Sequence, residues 1–256
     1  MPVRRSRSTP SAPSTRAVSV SVAVLTRNEE RCIAGVLDDI LRHVRDPFEV
    51  LVVDDSADRT PRIVRETAAA HPNVRLVPQN GRGYTAAFKT AVAHARGEAL
   101  VILVADGSDD IEDIERMREL IGEGFDIVCA SRYMKGGART RGAALQGAFS
   151  RVVCAGLHAF TGIATRDASN SFKMYRRSMF RSMSIEDAGY ATSMEVTLKA
   201  HYDGRRITEI PTIWRARREG SSKFLFTRQA VPYARWTWWA VAARLRASSR
   251  RGKRRS

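Results

Sequence analysis

The segment Val101-Ile-Leu-Val-Ala-Asp-Gly-Ser-Asp-Asp110 runs an apolar stretch into a polar cluster holding three carboxylates, Asp106, Asp109 and Asp110. If the apolar stretch is a strand of an α/β sheet, the carboxylates stand outside its carboxyl end, where such sheets bind ligands. Oxygen ligands of this kind suit a hard divalent cation shared with a diphosphate. Two more acidic loops follow apolar stretches, Asn28-Glu29 after residues 18–25 and Asp54-Asp55 after residues 49–53. In a parallel sheet all three loops converge on one edge, where carboxylates can hold a metal and accept hydrogen bonds from a base or ribose. Asn28, Asp58 and either Asp109 or Asp110 also suit helix caps, and for these capping is expected ahead of ligand contact. For Asp55 and Asp106 the order is reversed.

Between these loops lies Asn80-Gly-Arg-Gly-Tyr84. A glycine loop entering a helix brings backbone N–H groups near a phosphate, and Arg82 adds charge. No Gly-Lys-Ser/Thr follows and no Gly-x-Gly-x-x-Gly is present, so an ordinary helix-entry turn is a close rival.

The elements that would position these residues alternate. Apolar alternation over residues 18–25 predicts a strand, and Ile33, Val36, Leu37, Ile40, Leu41 and Val44 recur at helical spacing, with Asn28 as the expected N-cap. Strands follow at residues 49–53, 74–77, 99–104 and 125–130, with helices from Thr60-Pro61, over 84–95 and over 111–121. Strand–helix alternation predicts an α/β fold with a mostly parallel central sheet and helices on both faces. After Ser131 come a glycine-rich loop at Lys135-Gly-Gly137, a helix near 142–160 and a loop through Asp167 and Asn170. A further strand–helix stretch with Met194 and Leu198 inward, short strands at 206–210 and 212–214, and an aromatic, Arg-rich helix over 224–246 complete the chain. Residues 131–220 look like an acceptor-side half built onto the sheet.

The 256 residues suit one large domain, over residues 18–223, with a basic tail at 1–17 and a basic C-terminal segment at 224–256. The net charge of +16 is concentrated at the ends, with 15 Lys/Arg against 2 Asp/Glu in residues 204–256. A near-neutral body with basic ends argues against a nucleic-acid-binding face on the domain and for ends that meet an anionic surface. No recognised nucleic-acid module is present, so any binding to nucleic acid is expected to be nonspecific. Residues 1–16 lack the apolar core of a secretory signal and read as disordered. Cys32, Cys129 and Cys154 read as reduced core residues of a cytoplasmic protein. No apolar run is long enough to span a bilayer.

The ordered set of motifs resembles the family 2 glycosyltransferases with the GT-A fold, and within them the dolichol- and polyprenyl-phosphate sugar (mannosyl) synthases. It comprises Asn28-Glu29, Val-Val-Asp54-Asp55-Ser with Asp58 and Thr60, Gly81-x-Gly83, and Ala105-Asp106-Gly-Ser-Asp-Asp. Further on come Ser131-Arg-Tyr133 with Lys135-Gly-Gly137, residues 167–177, and Arg217-Arg-Glu-Gly-Ser-Ser-Lys223. The resemblance implies inverting transfer of a sugar from a nucleotide-diphosphate donor to a polyprenyl-phosphate-type lipid acceptor, with Mg2+ or Mn2+. It assigns donor binding to Asn28, Glu29, Asp54, Asp55, Arg82, Gly83, Ala105 and Asp106, and the metal to Asp106, with Asp109, or else Asp110, as the second carboxylate. Asp106, Arg132, Glu195, Arg217 and Lys223 are then the expected catalytic residues. Arg132, Lys135, Arg217 and Lys223 would be loop cations steering an acceptor phosphate that is already ionised and needs no general base. The sequence departs from the usual Asp-Ala-Asp at Val104, and has Leu25-Thr-Arg27 where a Pro and a Tyr are usual.

With a hydroxyl acceptor instead, Glu195 or Asp167 would be the base, although Glu195 equally suits a solvated position on an amphipathic helix. The C-terminal aromatics Trp236, Trp238 and Trp239, interleaved with arginines, suit peripheral contact with a membrane at its cytoplasmic face. Packing of those aromatics onto the sheet is the rival expectation.

Overall fold

Strand β1 (Val20–Thr26) is buried along its whole length, as befits a central strand covered on both faces. A computed structural model describes residues 18–140, 144–186, 189–216 and 226–252. After β1 come α1 (Ile33–His43), β2 (Phe48–Asp54), α2 (Thr60–Ala70), β3 (Val74–Pro78) and α3 (Gly83–His94). Then follow β4 (Ala99–Val104), α4 (Asp113–Gly122), β5 (Ile127–Ser131) and the short β6 (Ala138–Thr140). The remainder consists of α5 (Ala144–Thr161), β7 (Lys173–Arg176), α6 (Thr192–Tyr202), β8 (Ile207–Pro211), β9 (Ile213–Arg215) and α7 (Phe226–Gly252).

The main sheet has the order β3-β2-β1-β4-β7-β5-β8, and β6 pairs with β9 in a separate two-stranded sheet. All pairings in the main sheet are parallel except those of β7, which runs antiparallel between β4 and β5. The segment after Ser131 is therefore not simply appended: β7 and β8 complete the sheet itself. On one face, Ile33, Val36, Leu37 and Ile40 of α1 pack with Val64 of α2 and Ile114, Met117 and Ile121 of α4. Phe88 of α3 and Val196 of α6 cover the other face. The expected two-sided mostly parallel α/β architecture is present.

Helix α7 departs from the expected packing. It lies against α5 and α6 instead of the sheet, burying Trp236 and Ala240 with Leu157, Met194 and Leu198. Trp239 is half-buried, its ring edge-on to those of Tyr202 and Trp236, whereas Trp238 is 73% exposed. Of the cysteines, Cys129 and Cys154 are buried and Cys32 is half-buried, with no disulfide. No helix among the described residues is long and apolar enough to cross a membrane.

Candidate active site

Parallel register brings the three acidic loops together. Thr26 is opposite Asp54, and Leu25 is opposite both Val53 and Val104, so β1, β2 and β4 end at one level. Backbone N–H groups just beyond the strands extend this alignment: Asp55 donates to Thr26 O at 3.2 Å, Ala105 to Leu25 O at 3.2 Å, and Gln79 to Asp54 O at 2.9 Å.

Much of this edge is held by its own polar side chains. Asp54 Oδ1 accepts from Thr26 Oγ1 at 2.7 Å and Ser56 Oγ at 2.6 Å. Asn28 does not cap α1, whose N-cap is Cys32. It adopts a left-handed φ of 53°, donates its N–H to Ser56 Oγ and accepts from Ala57 N–H at 2.8 Å, tying the β1 and β2 loops together. Asn tolerates that conformation better than most residues. Glu29 donates its N–H to Thr60 Oγ1 at 3.0 Å. Asp58 accepts from Thr60 N–H at 2.9 Å at the entry to α2 from one position before the expected cap, since the N-cap of α2 is Arg59, with no side-chain cap bond. Burial works to raise the Asp58 pKa, but its hydrogen bonds with Thr60 outweigh this and hold it below the usual range. Asp55 is half-exposed and its Oδ2 lies 3.9 Å from Arg27 Nε.

Gly81 and Gly83 both have positive φ, 89° and 84°, a conformation that strains other residues. Gly83 opens α3, and Arg82 before it is exposed.

The β4–α4 loop carries the acidic pair. Asp106 Oδ1 accepts from Ser108 N–H at 3.1 Å. Neither Asp109 nor Asp110 caps α4, whose N-cap is Glu112 with no side-chain bond; Asp110 instead pairs with Arg215 at 2.9 Å. Asp109 Oδ2 is shielded from solvent with no hydrogen-bond partner among the described residues. Burial, reinforced by the neighbouring Asp106 charge, pushes its pKa up to about 8. Both line a cavity of about 420 Å³ between this loop and α1, which also exposes Cys32, Asp39 and His43. Among the described residues no group of three or more His, Cys, Asp and Glu is placed to hold a metal. Two carboxylates nevertheless fit Mg2+ or Mn2+, because such ions are commonly held by one or two carboxylates together with substrate phosphates and water. The partnerless Asp109 oxygen is the group an incoming cation would satisfy.

On the far side, Arg132 is not an available loop cation. Its Nε donates to Asp167 Oδ2 at 2.6 Å and its Nη2 to Oδ1 at 2.8 Å. Asp167 has both carboxylate oxygens engaged by the Arg132 guanidinium and is correspondingly unsuited to act as a base. Burial alone would raise the Asp167 pKa, yet the Arg132 charge and hydrogen bonds hold it below the usual carboxylate range. Lys135 remains exposed in the next loop, where a Cβ on Gly137 would collide with the Ser131 carbonyl. Arg217 and Lys223 lie outside the described residues.

Glu195 is fully buried in α6, not solvated. Its Oε1 accepts from Glu186 N–H and Lys199 Nζ, both at 2.7 Å, and its Oε2 has no partner among the described residues.

Sequence reasoning passed over three residues near the site. Tyr84, already part of the glycine-loop motif, is half-buried with its hydroxyl shielded from solvent, beside Ser171 and within electrostatic reach of Asp109. Tyr233 of α7 donates to Tyr190 O at 3.2 Å and senses the Arg132 charge. Lys173 is fully buried and donates to Ala168 O, Asn170 O and Ser193 Oγ, fixing the turn that carries Asp167. Only Tyr84 had a sequence signal.

A mostly parallel sheet with acidic loops on its carboxyl edge and one antiparallel strand inserted within it defines a GT-A fold. Glucosyl-3-phosphoglycerate synthase from Mycobacterium tuberculosis, solved with Mn2+, UDP and glucosyl-3-phosphoglycerate, superposes with a TM-score of 0.64 at 19% identity, covering 89% of this chain and 80% of that one. The chain belongs to glycosyl transferase family 2, whose family model matches residues 21–183. It is 30% identical to a dolichyl-phosphate hexose transferase of Haloferax volcanii over 77% of this chain and 83% of the relative. It is 24% identical to a polyprenol monophosphomannose synthase of Mycolicibacterium smegmatis over 88% of each. Several other relatives are longer, and this chain spans about half to two thirds of their length.

Proposed function

We propose that this protein is an inverting glycosyltransferase that moves a sugar from a nucleotide-diphosphate donor onto a polyprenyl phosphate. The observation that carries the reading is the convergence of the β1, β2 and β4 loops on one sheet edge, with Asp106 and Asp109 side by side, in a chain similar to lipid-phosphate sugar transferases. The donor base and ribose would lie against Asn28, Glu29, Asp54 and Asp55. The diphosphate would lie near Ala105 and Asp106 and the amino end of α3, where Arg82, Gly83 and the helix N–H groups favour anions.

Asp106 and Asp109 would hold the divalent ion, which when bound stabilises negative charge on the departing diphosphate. An acceptor phosphate oxygen attacks the anomeric carbon from the face opposite the diphosphate, forming one C–O bond as the other breaks and inverting the centre. That oxygen is already ionised, so the protein's task is steering. Lys135, Arg217 and Lys223 would supply the positive field, while Arg132, neutralised by Asp167, would shape the pocket wall. The basic C-terminal segment would bring the protein to the cytoplasmic face of an anionic membrane.

A hydroxyl acceptor is the second reading, favoured by the partnerless Oε2 of Glu195, which would be its base. Its mark is loss of transfer in Glu195→Gln with Lys223→Ala unaffected; the phosphate reading expects Lys223→Ala to be the damaging change.

A panel of UDP, GDP, CDP and their sugar conjugates, with and without Mg2+ or Mn2+, tests donor binding through melting temperature, because a ligand of the native state raises it. A metal-dependent rise for one base supports the reading. Folded protein that responds to none of them would contradict it.

A further inference from the structure

Helix α5 buries Cys154, Leu157 and Thr161 but turns an apolar stripe to solvent. Phe149, Val152 and Phe160 stand on it, Val152 being 71% exposed. Ala148, Ala155, Gly156 and Ala159 fill the intervening exposed positions, so the stripe carries no charge of its own. Its neighbour α7 repeats the pattern, with Val231, Trp238 and Leu245 exposed at seven-residue intervals. Contiguous exposed apolar surface of this kind marks an interaction site.

We propose that α5 and α7 together form the surface by which this protein lies on an anionic bilayer, α5 inserting its stripe into the headgroup boundary. The proposal rests on the lipid-phosphate reading above and extends it to a helix that carries none of the basic C-terminal sequence. Charge argues for lipid over a second copy of the chain. Exposed Arg151 borders the α5 stripe and exposed Arg244 and Arg246 flank Leu245. The segment from residue 204 onward holds 15 Lys/Arg against 2 Asp/Glu. Two such faces would repel each other, whereas an anionic leaflet attracts both the stripe and its rim.

The surface is also one helix away from the acceptor side of the site. Ser150 on α5 is 2.8 Å from Ser169 Oγ, which itself bonds Arg132 and Asp167. Tyr133 beside Arg132 donates to Gly147 O at 3.3 Å. On α7, Tyr233 reaches Tyr190 and the Arg132 field. A phosphate presented at the bilayer surface would thus arrive next to the reacting groups.

The test is flotation of the full chain with phosphatidylglycerol/phosphatidylcholine vesicles and with pure phosphatidylcholine, for wild type, Val152→Glu and Trp238→Glu, with Lys89→Glu at an exposed position of α3 as control. Wild type and Lys89→Glu should float with the anionic vesicles. Each stripe variant should partition about tenfold more weakly with an unchanged melting temperature. Flotation of Val152→Glu at the wild-type level would remove α5 from the surface. A wild type that ignores the vesicles but sediments as a dimer, broken by Val152→Glu, would overturn the proposal in favour of self-association. Transfer to a short-chain, water-soluble polyprenyl phosphate separates the two claims. Wild-type transfer without flotation defeats the surface alone, and stripe-dependent flotation without transfer upholds the surface and defeats the catalytic reading.

Discussion

Arg132 and Asp167 form a buried bidentate pair across the loops that follow β5 and precede β7, with contacts of 2.6 and 2.8 Å and a third bond at 3.0 Å from the Arg132 backbone N–H to Asp167 Oδ2. Removing one member of such a pair leaves the other as an uncompensated buried charge. Asp167→Asn should therefore lower stability by about 3–5 kcal/mol in urea denaturation. Arg132→Lys should not restore the wild-type value, because an ammonium cannot make the forked contact.

The same pair sets an acid response. Asp167 has a folded-state pKa below its unfolded value, about 3.9 for a free Asp. Its contribution to stability is complete above that value and is lost as pH falls through the lower folded pKa. The gap in unfolding free energy between wild type and Asp167→Asn should stay constant from neutral pH to about pH 5 and narrow below about pH 4. A gap independent of pH across that window would mean that the carboxylate charge is not what the pair contributes.

Two tryptophans two positions apart should behave oppositely. Trp236 is 1% exposed and Trp238 is 73% exposed. Truncating a buried Trp to Ala typically costs 3–5 kcal/mol, so Trp236→Ala should unfold at about that much lower free energy. Trp238→Ala should change stability by less than about 0.5 kcal/mol. Equal effects on the melting temperature would show that α7 is not docked through Trp236.

Asp106→Asn and Asp109→Asn should each abolish any rise in melting temperature given by Mg2+ or Mn2+ with the donor, and each should lower transfer by about 10²–10³-fold. Asp110→Asn, which loses only the half-exposed contact to Arg215, should leave the metal response in place. A metal response that survives in Asp109→Asn would move the second ligand elsewhere.

The alternating strands and helices through β5 were legible because each is a local pattern: apolar alternation for β1, an uninterrupted apolar run for β4, and helical spacing at Ile33, Val36, Leu37 and Ile40. Strand β7 was legible only as an unbounded strand ahead of the helix bearing Met194 and Leu198, since its four residues, Lys-Met-Tyr-Arg, carry a charge at each end. Lys173 is buried because carbonyls of the preceding turn and Ser193 accept its protons, a tertiary arrangement with no sequence period. Its antiparallel placement between β4 and β5 depends on pairings with strands far away in the chain, which periodicity does not encode.

Within the site, the acidic loops were legible because a parallel sheet brings strand ends together whatever the loop contents. The partners of individual side chains were not. Arg132 reads as a loop cation until the turn bearing Asp167 closes over it, and Glu195 reads as a solvated helix residue until Lys199 and the Glu186 backbone are placed against it. The α7 aromatics were divided by helical phase: Trp236 faces α6, and Trp238 faces solvent two residues on.

The central claim is transfer to a phosphate on a polyprenyl chain. The direct measurement follows a radiolabelled sugar from the nucleotide conjugate that passes the binding panel, with Mg2+ or Mn2+, into organic-extractable product, using polyprenyl phosphate and the matching polyprenol in parallel. The account predicts labelled lipid from the phosphate, none from the alcohol, and product of inverted anomeric configuration. Label entering the polyprenol, or no lipid product from folded protein that binds the donor, would contradict it.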